Sequence, residues 1–151
     1  MKVVIQRVTE ARLTIDGTVY SEIGAGMVIL LGISVDDTAE DMDYLLKKIP
    51  KLRIFDDESG VMNLDITQTY PSGDILLVSQ FTLLADTRKG NRPSYIGAAR
   101  PEQAIPLYEQ MVEKLSESLG KRVQTGKFGA DMKVALVNDG PVTIIIDSKN
   151  R

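Results

Sequence analysis

The sequence predicts a mixed α and β fold in three β/β/α layers, with two packed, barrel-like sheets and two main helices. Most segments alternate apolar and polar residues with the period of two typical of half-buried strands, and turn residues separate these segments at hairpin-length intervals. Only two segments carry apolar residues at helical spacing. We expect residues 1–151 to form a single domain, which is long enough to bury about two thirds of its unfolded surface.

The chain is predicted to open with a β-hairpin. Apolar residues alternate with polar ones over 3–5 and 11–15, and Asp16-Gly17 is a strong hairpin turn. After a glycine-rich turn at 24–26, residues 27–33 are apolar on both faces. This pattern predicts a central strand that is covered on each side.

A helix and three strands are predicted in the middle of the chain. Thr38 is placed to cap the helix, and Pro50 stops it after apolar positions at helical spacing. The strands are predicted over 52–55, 62–66 and 75–81, with turns at 56–60 and 70–73.

The second half is predicted to begin with a long polar loop, 84–100, and loops of this length are usually functional or mobile. A second helix follows, from Pro101 at its first position to Gly120 at its end. Strands then resume at Val123. The last predicted elements are a strand over 132–136, a turn at 138–141 and a β-branched strand over 142–147.

Composition restricts the chemistry. The chain has no cysteine and no histidine, which removes the commonest nucleophile-base pairs and nearly all zinc sites, so we expect no metal and no cofactor. The longest apolar run, 27–31, is too short to span a bilayer and no signal peptide is evident, which favours a cytoplasmic protein without membrane contact. A net charge of -3 disfavours general polyanion binding, so any nucleic-acid contact needs a local basic patch.

Ser79-Gln80-Phe81-Thr82 is the first candidate site, because it places two hydroxyls, an amide and a ring at the end of a buried strand. Alternatively, the hydroxyls satisfy backbone groups at the strand end and Phe81 belongs to the core. Without histidine, Ser79 or Thr82 would need a lysine or a carboxylate as base. The other route uses a hydroxyl of the substrate, with backbone N–H groups stabilising the oxyanion.

Two further segments are candidates. Gly140-Pro141 follows Asn138 between two predicted strands, and a Gly-Pro bond is able to be cis, although only about 5–6% of X-Pro bonds are, so the residues alone favour a trans turn. The segment 88–95 combines Arg88, Lys89 and Arg92 with Tyr95, a combination suited to single-stranded RNA ends. A solvated surface loop is the competing interpretation.

Together, Ser79-Gln80-Phe81-Thr82 and Asn138-x-Gly140-Pro141-Val142-Thr143, with the basic loop between them, resemble the motifs of the D-aminoacyl-tRNA deacylase family, also called D-tyrosyl-tRNA deacylases. The first strand, 1–8, is similar as well, and the resemblance runs the full length. It implies an esterase that removes D-amino acids from the 3′ end of aminoacyl-tRNA, a proofreading step in translation. Since glycine has no side chain for a rigid backbone wall to exclude, mischarged glycyl-tRNA is an expected substrate as well.

The resemblance implies a homodimer in which the Gly-Pro motif of each chain acts in trans on the site of its partner. Gly140-Pro141 would be cis, with Arg7 helping to hold it, and would exclude the side chain of an L-residue. Four residues would cradle the terminal adenosine and the ester, and two would lie beside them in the pocket: Ser79, Gln80, Phe81 and Thr82, with Phe128 and Met132. The family favours catalysis assisted by the tRNA 2′-hydroxyl, which leaves the role of Thr82 open.

Two alternatives from other classes remain. A noncatalytic RNA-end binding module would use the basic loop and Phe81 as its platform, and it would protect the ester of D-tyrosyl-tRNA. An esterase for small metabolites would use a hydroxyl nucleophile, and it would act on simple activated esters.

Overall fold

Eight strands and two α-helices make up the fold in a computed structural model that describes residues 1–151. Single 3₁₀ turns occur at Ile49–Lys51 and Phe81–Leu84. The strands and helices are β1 (Lys2–Ile15), β2 (Thr18–Ile23), β3 (Gly26–Gly32), α1 (Ala39–Lys48), β4 (Phe55–Asp56), β5 (Met62–Leu64), β6 (Asp74–Ser79), α2 (Pro101–Leu119), β7 (Gln124–Thr125) and β8 (Lys133–Asp147).

Six strands belong to one continuous sheet, in the order β2-β1-β3-β6-β7, and β8 pairs with β1. Strand β1 is antiparallel to β2, β3 and β8, whereas β3–β6 and β6–β7 are parallel. The sheet curls until its two edge strands meet: the Ser21 hydroxyl on β2 donates to the Thr125 carbonyl on β7 at 2.7 Å. The result is a nearly closed barrel, and β4 and β5 form a separate small pair.

The alternation of side chains along the strands separates two cores. A cluster of 7 buried residues, which includes Leu13, Val28 and Leu76, fills the inside of the barrel. A cluster of 21 buried residues, which includes Ile29 and Met111, joins the outside of the sheet to the helices. The predicted mixed α and β, barrel-like class with two main helices is therefore confirmed.

Local signals placed most element boundaries correctly. Asp16 and Gly17 have φ of 50° and 76°, the pair of positive values that a two-residue type I′ hairpin turn requires. Helix α1 begins after Thr38, whose N–H donates to the Asp41 carboxylate at 2.9 Å. Helix α2 ends at Gly120 with φ of 64°, as predicted. Neither helix combines the length and the apolar character that crossing a membrane would require.

Three predicted segments differ from the structure. Of residues 52–55 only Phe55 pairs with another strand, since β4 spans Phe55–Asp56 alone and pairs with β5 at these two residues. The strand predicted over 75–81 ends at Ser79, where the chain turns into the 3₁₀ turn that starts at Phe81. The predicted turn at 138–141 is not a connection between two strands, since β8 continues through it as one strand of 15 residues.

The segment 138–142 is instead a wide bulge in β8. Across β1, Val8 pairs with Asn138 and Gln6 pairs with Thr143, so four residues of β8 lie opposite Arg7 alone. Val142 turns into the core, where it is 8% exposed. We call residues 139–141 the Gly-Pro bulge, and its glycine and proline are exposed.

Candidate active site

The Ser79–Thr82 segment is fixed at the end of the parallel pair β3–β6. The Gln80 N–H donates to the Leu31 carbonyl at 2.8 Å, which continues the ladder one residue beyond β6. The chain then tightens, because the Leu83 N–H donates back to the Gln80 carbonyl at 3.2 Å. Gly32 permits this approach, since a Cβ there would lie 2.5 Å from the Leu84 side chain. The segment is therefore held through its main chain.

A cavity of about 280 Å³ opens beside this segment. Ser79, Gln80 and Phe81 form one wall, and Phe128 and Met132 form another. The structure thus brings together five of the predicted site residues from segments about fifty positions apart in the chain. The cavity also has small or apolar lining residues that the sequence analysis did not single out: Leu31, Ile33, Ala99, Ala104 and Ala130.

Helix α2 supports the cavity wall that contains Phe128. The Phe128 ring lies edge to face with the Tyr108 ring of α2, with ring centroids 6.3 Å apart. The Tyr108 hydroxyl donates to the Leu77 carbonyl at 2.7 Å, and burial raises its pKa, which keeps the hydroxyl protonated. A Cβ at Gly126 would lie 2.4 Å from the Met132 sulfur, so only glycine lets Met132 pack here. Tyr108 is therefore a support rather than a base.

Thr82 does not line the cavity. Its hydroxyl accepts a hydrogen bond from the Gln80 side-chain amide, and no lysine or carboxylate lies within hydrogen-bonding distance of Thr82 or Ser79. The one charged lining residue is Asp131, whose carboxylate pairs with Lys133 at 2.8 Å. The structure therefore offers neither hydroxyl a base.

Phe81 is not a core residue, so that interpretation of the segment is wrong. Its side chain is 56% exposed and lies edge to face with Tyr95, with ring centroids 5.0 Å apart. Both rings are exposed at the mouth of the cavity, because Phe81 also lines it. Together they present an aromatic surface that a base of a nucleic acid is able to contact.

The basic loop beside these rings is folded upon itself. Asp86 and Ser94 exchange two backbone hydrogen bonds, of 2.8 and 2.9 Å. Arg88 closes on Asp86, and its side-chain hydrogen bonds lower the pKa of Asp86 to about 2. Arg88 is thus neutralised locally, whereas Lys89 and Arg92 are exposed and form no ion pair. The available positive charge is smaller than the sequence suggests.

The Gly-Pro bulge is anchored at its base. Gly140-Pro141 is a cis bond, as the family resemblance implied, and Gly140 has φ of 121°. The Asn138 side-chain amide donates to the Arg7 carbonyl at 3.0 Å and to the Val142 carbonyl at 2.9 Å, closing the base of the bulge. Arg7 is 7% exposed, and its Nε donates to the Asp139 carbonyl at 3.2 Å.

The two motifs do not meet within one chain. Neither Gly140 nor Pro141 is among the residues that line the cavity, although both are exposed. Arg7 and Asn138 also lie with the bulge and not at the cavity. Apart from Thr82, the predicted site residues thus form two groups in the chain, one around the cavity and one at the bulge.

The chain is similar to curated proteins over its whole length. A D-aminoacyl-tRNA deacylase of Bacteroides fragilis (strain YCH46) is 63% identical over 151 residues, which are 100% of this chain and 99% of the relative. One of Flavobacterium psychrophilum is 59% identical with the same coverage.

Two solved structures are similar as well. A c-Myc DNA unwinding element binding protein has a TM-score of 0.89 at 42% identity, covering 97% of this chain and 98% of that one. A structure of a probable eukaryotic D-amino acid tRNA deacylase has a TM-score of 0.80 at 17% identity, with 96% and 97% covered, and supports the fold alone. The model of the D-Tyr-tRNA(Tyr) deacylase family matches residues 4–147. The chain therefore belongs to the D-Tyr-tRNA(Tyr) deacylase family.

Proposed function

We propose that this chain, as a homodimer in the cytoplasm, hydrolyses the ester bond of D-aminoacyl-tRNA and releases the D-amino acid and free tRNA. One observation carries the homodimeric form of the proposal. The Gly-Pro bulge is exposed and anchored at its base, yet it does not line the cavity of its own chain. A second copy resolves this separation if its bulge closes the cavity of the first.

Strand β8 supports such a dimer. It pairs with β1 only, so its other edge carries no partner strand within the chain. Two large apolar side chains of β8 are exposed, Val137 at 50% and Ile145 at 72%. A long free edge with apolar residues is unusual on a monomer, because it invites pairing with another chain. The bulge belongs to this strand, so a contact through β8 would carry it to the partner.

The chemistry of the cavity favours a reaction assisted by the substrate. Since neither Ser79 nor Thr82 has a base, the vicinal 2′-hydroxyl of the terminal ribose is the proposed catalytic hydroxyl. Main-chain N–H groups at the start of the Phe81–Leu84 turn, ahead of Leu83, whose N–H is already bonded to Gln80, would stabilise the oxyanion, which requires donors that are fixed in advance. A substrate with a 2′-deoxy terminal ribose should therefore resist hydrolysis, whereas an esterase using its own hydroxyl nucleophile would still cleave it.

Chiral selection would come from exclusion. The partner's Gly-Pro bulge would leave no space for the side chain of an L-residue, while a D-residue points elsewhere and glycine has no side chain to exclude. Rejecting L-aminoacyl-tRNA by about a thousandfold needs about 4 kcal/mol, which a clash with a rigid backbone supplies and a single methyl contact does not. On this basis glycyl-tRNA is also a substrate.

Mixed dimers test whether the bulge acts in trans. One subunit carries Ala130→Phe, which fills the cavity, and the other carries Gly140→Ala in the bulge. In a purified heterodimer the only open cavity belongs to the Gly140→Ala chain, so action in trans predicts normal preference for D-tyrosyl-tRNA over L-tyrosyl-tRNA. Relaxed preference would mean that each bulge serves its own chain. A monomer in solution would contradict the homodimer itself.

The same substrates separate catalysis from binding. A noncatalytic RNA-end binding module would use the exposed Phe81 and Tyr95 rings to hold the acceptor end and would slow spontaneous loss of the ester. The proposed enzyme accelerates that loss under single-turnover conditions. Protection of D-tyrosyl-tRNA by the purified protein would therefore overturn the proposal.

A further inference from the structure

The Arg7 guanidinium lies between two carboxylates from different parts of the chain. Its Nη1 is 3.1 Å from Oδ1 of Asp56, on β4. Its Nε is 3.2 Å from Oδ2 of Asp139, in the Gly-Pro bulge. Two carbonyls complete the set, since Nη1 donates to Ile54 at 2.8 Å and Nε donates to Asp139 at 3.2 Å. Arg7 thus joins the β4–β5 pair to the bulge.

Burial makes these partners important for Arg7. Its side chain is only 8% exposed, whereas the side chains of Asp56 and Asp139 are 50% and 47% exposed. A buried cation without a compensating charge is strongly unfavourable, while each half-exposed carboxylate is solvated with or without its partner. The two carboxylates therefore hold the guanidinium, and they share that role.

The position of the guanidinium in turn defines the position of Gly140. A Cβ built on Gly140 would lie 3.1 Å from Nη2 of Arg7, so the glycine backbone lies directly against this group. Nη2 makes no hydrogen bond within the chain, so it contacts Gly140 through packing alone. Any displacement of Arg7 would therefore displace the glycine that we assign to the chiral wall.

We propose that Asp56 and Asp139 are positioning residues for chiral selection, which act through Arg7 on the Gly-Pro bulge. This inference rests on the function proposed above. Either carboxylate alone leaves Arg7 with a charged partner, so each single loss weakens the wall modestly. Loss of both leaves a buried guanidinium with carbonyl partners only. The effects of the two changes should therefore exceed the product of the single effects.

The test compares Asp56→Asn, Asp139→Asn and the double variant, using D- and L-tyrosyl-tRNA as substrates. The measured quantity is the ratio of kcat/KM for D over L. This ratio is independent of the fraction of folded enzyme, because that fraction cancels, so a purely structural loss would not change it. We expect a fall of about three- to tenfold for each single variant and of more than about a hundredfold for the double variant, which exceeds the product of the single effects.

Two controls accompany these variants. Glu22→Gln removes a carboxylate that pairs with Arg12 at 3.3 Å on the exposed surface, and its ratio should equal that of the unmodified protein. Asp56→Glu keeps the charge and should restore most of the selectivity lost in Asp56→Asn.

The outcomes are distinguishable. An unmodified protein that fails to hydrolyse D-tyrosyl-tRNA would overturn the proposed function itself. An unmodified protein that is selective, together with a folded double variant whose ratio is unchanged, would overturn only the positioning role. If the double variant does not fold, single variants with ratios within about twofold of the unmodified protein would overturn it equally.

Discussion

Replacing Gly140 with alanine perturbs the bulge at a position where contact distances and the backbone angle allow the loss of stability to be estimated. The added Cβ would lie 2.8 Å from the Val142 Cγ2, 3.1 Å from Nη2 of Arg7 and 3.2 Å from the Val142 nitrogen. Gly140 has φ of 121°, a conformation that L side chains rarely adopt, at a cost of about 1–3 kcal/mol. Overpacking adds about 1–3 kcal/mol, although an exposed bulge relaxes part of it. We expect a loss of about 2–4 kcal/mol in the free energy of unfolding.

Gly140→Ala should also reduce the selectivity for D-substrates, because the bulge must move to accommodate the methyl group even where the protein stays folded. Urea unfolding measures the stability, and single-turnover deacylation of D-, L- and glycyl-tRNA measures the selectivity. We expect hydrolysis of L-aminoacyl-tRNA to rise by about tenfold or more relative to the D-substrate.

Two other glycines provide matched controls for this variant. Gly60 has φ of 74° and nothing within 4 Å of a built Cβ, so Gly60→Ala isolates the backbone cost. Gly24 also has nothing within 4 Å of a built Cβ but has no positive φ, so Gly24→Ala should be nearly neutral. If Gly140→Ala is no less stable than Gly60→Ala and its rates on all three substrates are unchanged, the wall explanation is refuted.

Three further predictions concern the cavity and the fold. Thr82→Ala should retain single-turnover deacylation of D-tyrosyl-tRNA within about tenfold, and complete loss would make its hydroxyl the nucleophile. Phe81→Ala should raise KM by about tenfold, the value of one stacked base, whereas Ile96→Ala, at an 88% exposed side chain, should not change KM. The pKa of Asp41 is lowered, because hydrogen bonds led by that from Lys149 outweigh the opposing effect of burial. Ionised Asp41 therefore stabilises the fold at any pH above the ordinary pKa of an aspartate, and this stabilisation is lost as the pH falls from that value towards the lower pKa of the folded state. In urea unfolding, the difference in stability between the unmodified protein and Asp41→Asn should therefore shrink towards acid pH.

The parts of the fold that the sequence predicts well depend on local signals. The first hairpin follows from Asp16-Gly17 between alternating segments, and α2 follows from Pro101, Gly120 and apolar residues at helical spacing. Each of these decisions involves residues that are close in the chain, where backbone preferences dominate.

The Gly-Pro bulge shows why other parts were not predictable. Asn138-Asp139-Gly140-Pro141 has the composition of a turn, and nothing nearby in sequence distinguishes a turn from a bulge. The difference lies in the register against β1, where Val8 faces Asn138 and Gln6 faces Thr143. That register involves residues about 130 positions apart, so only the folded sheet defines it.

The candidate site has the same limitation. Its residues were identified through family motifs, and spacing alone did not associate Phe128 and Met132 with Ser79. Asp56 gave no signal, because an acidic turn is normally a solvated surface, although in the structure its carboxylate reaches Arg7. Asp139 occupies the variable position x of the motif Asn138-x-Gly140-Pro141, so there was no reason in the sequence to expect its contact with Arg7.

The separation of the candidate site into a cavity and a bulge that does not line it would have a physical consequence for how the proposed selectivity arises. The cavity contains no unpaired charge and no base, and its lining is mostly apolar. In the proposed mechanism, discrimination depends on a wall that does not yield, and the anchors at Arg7 and Asn138 hold the base of the bulge. If a second chain donates the wall, as proposed, selectivity is also coupled to assembly, because a dissociated subunit would retain the cavity and lose the wall. Dilution below the dimer dissociation constant should therefore relax the preference for D-substrates before the fold is lost.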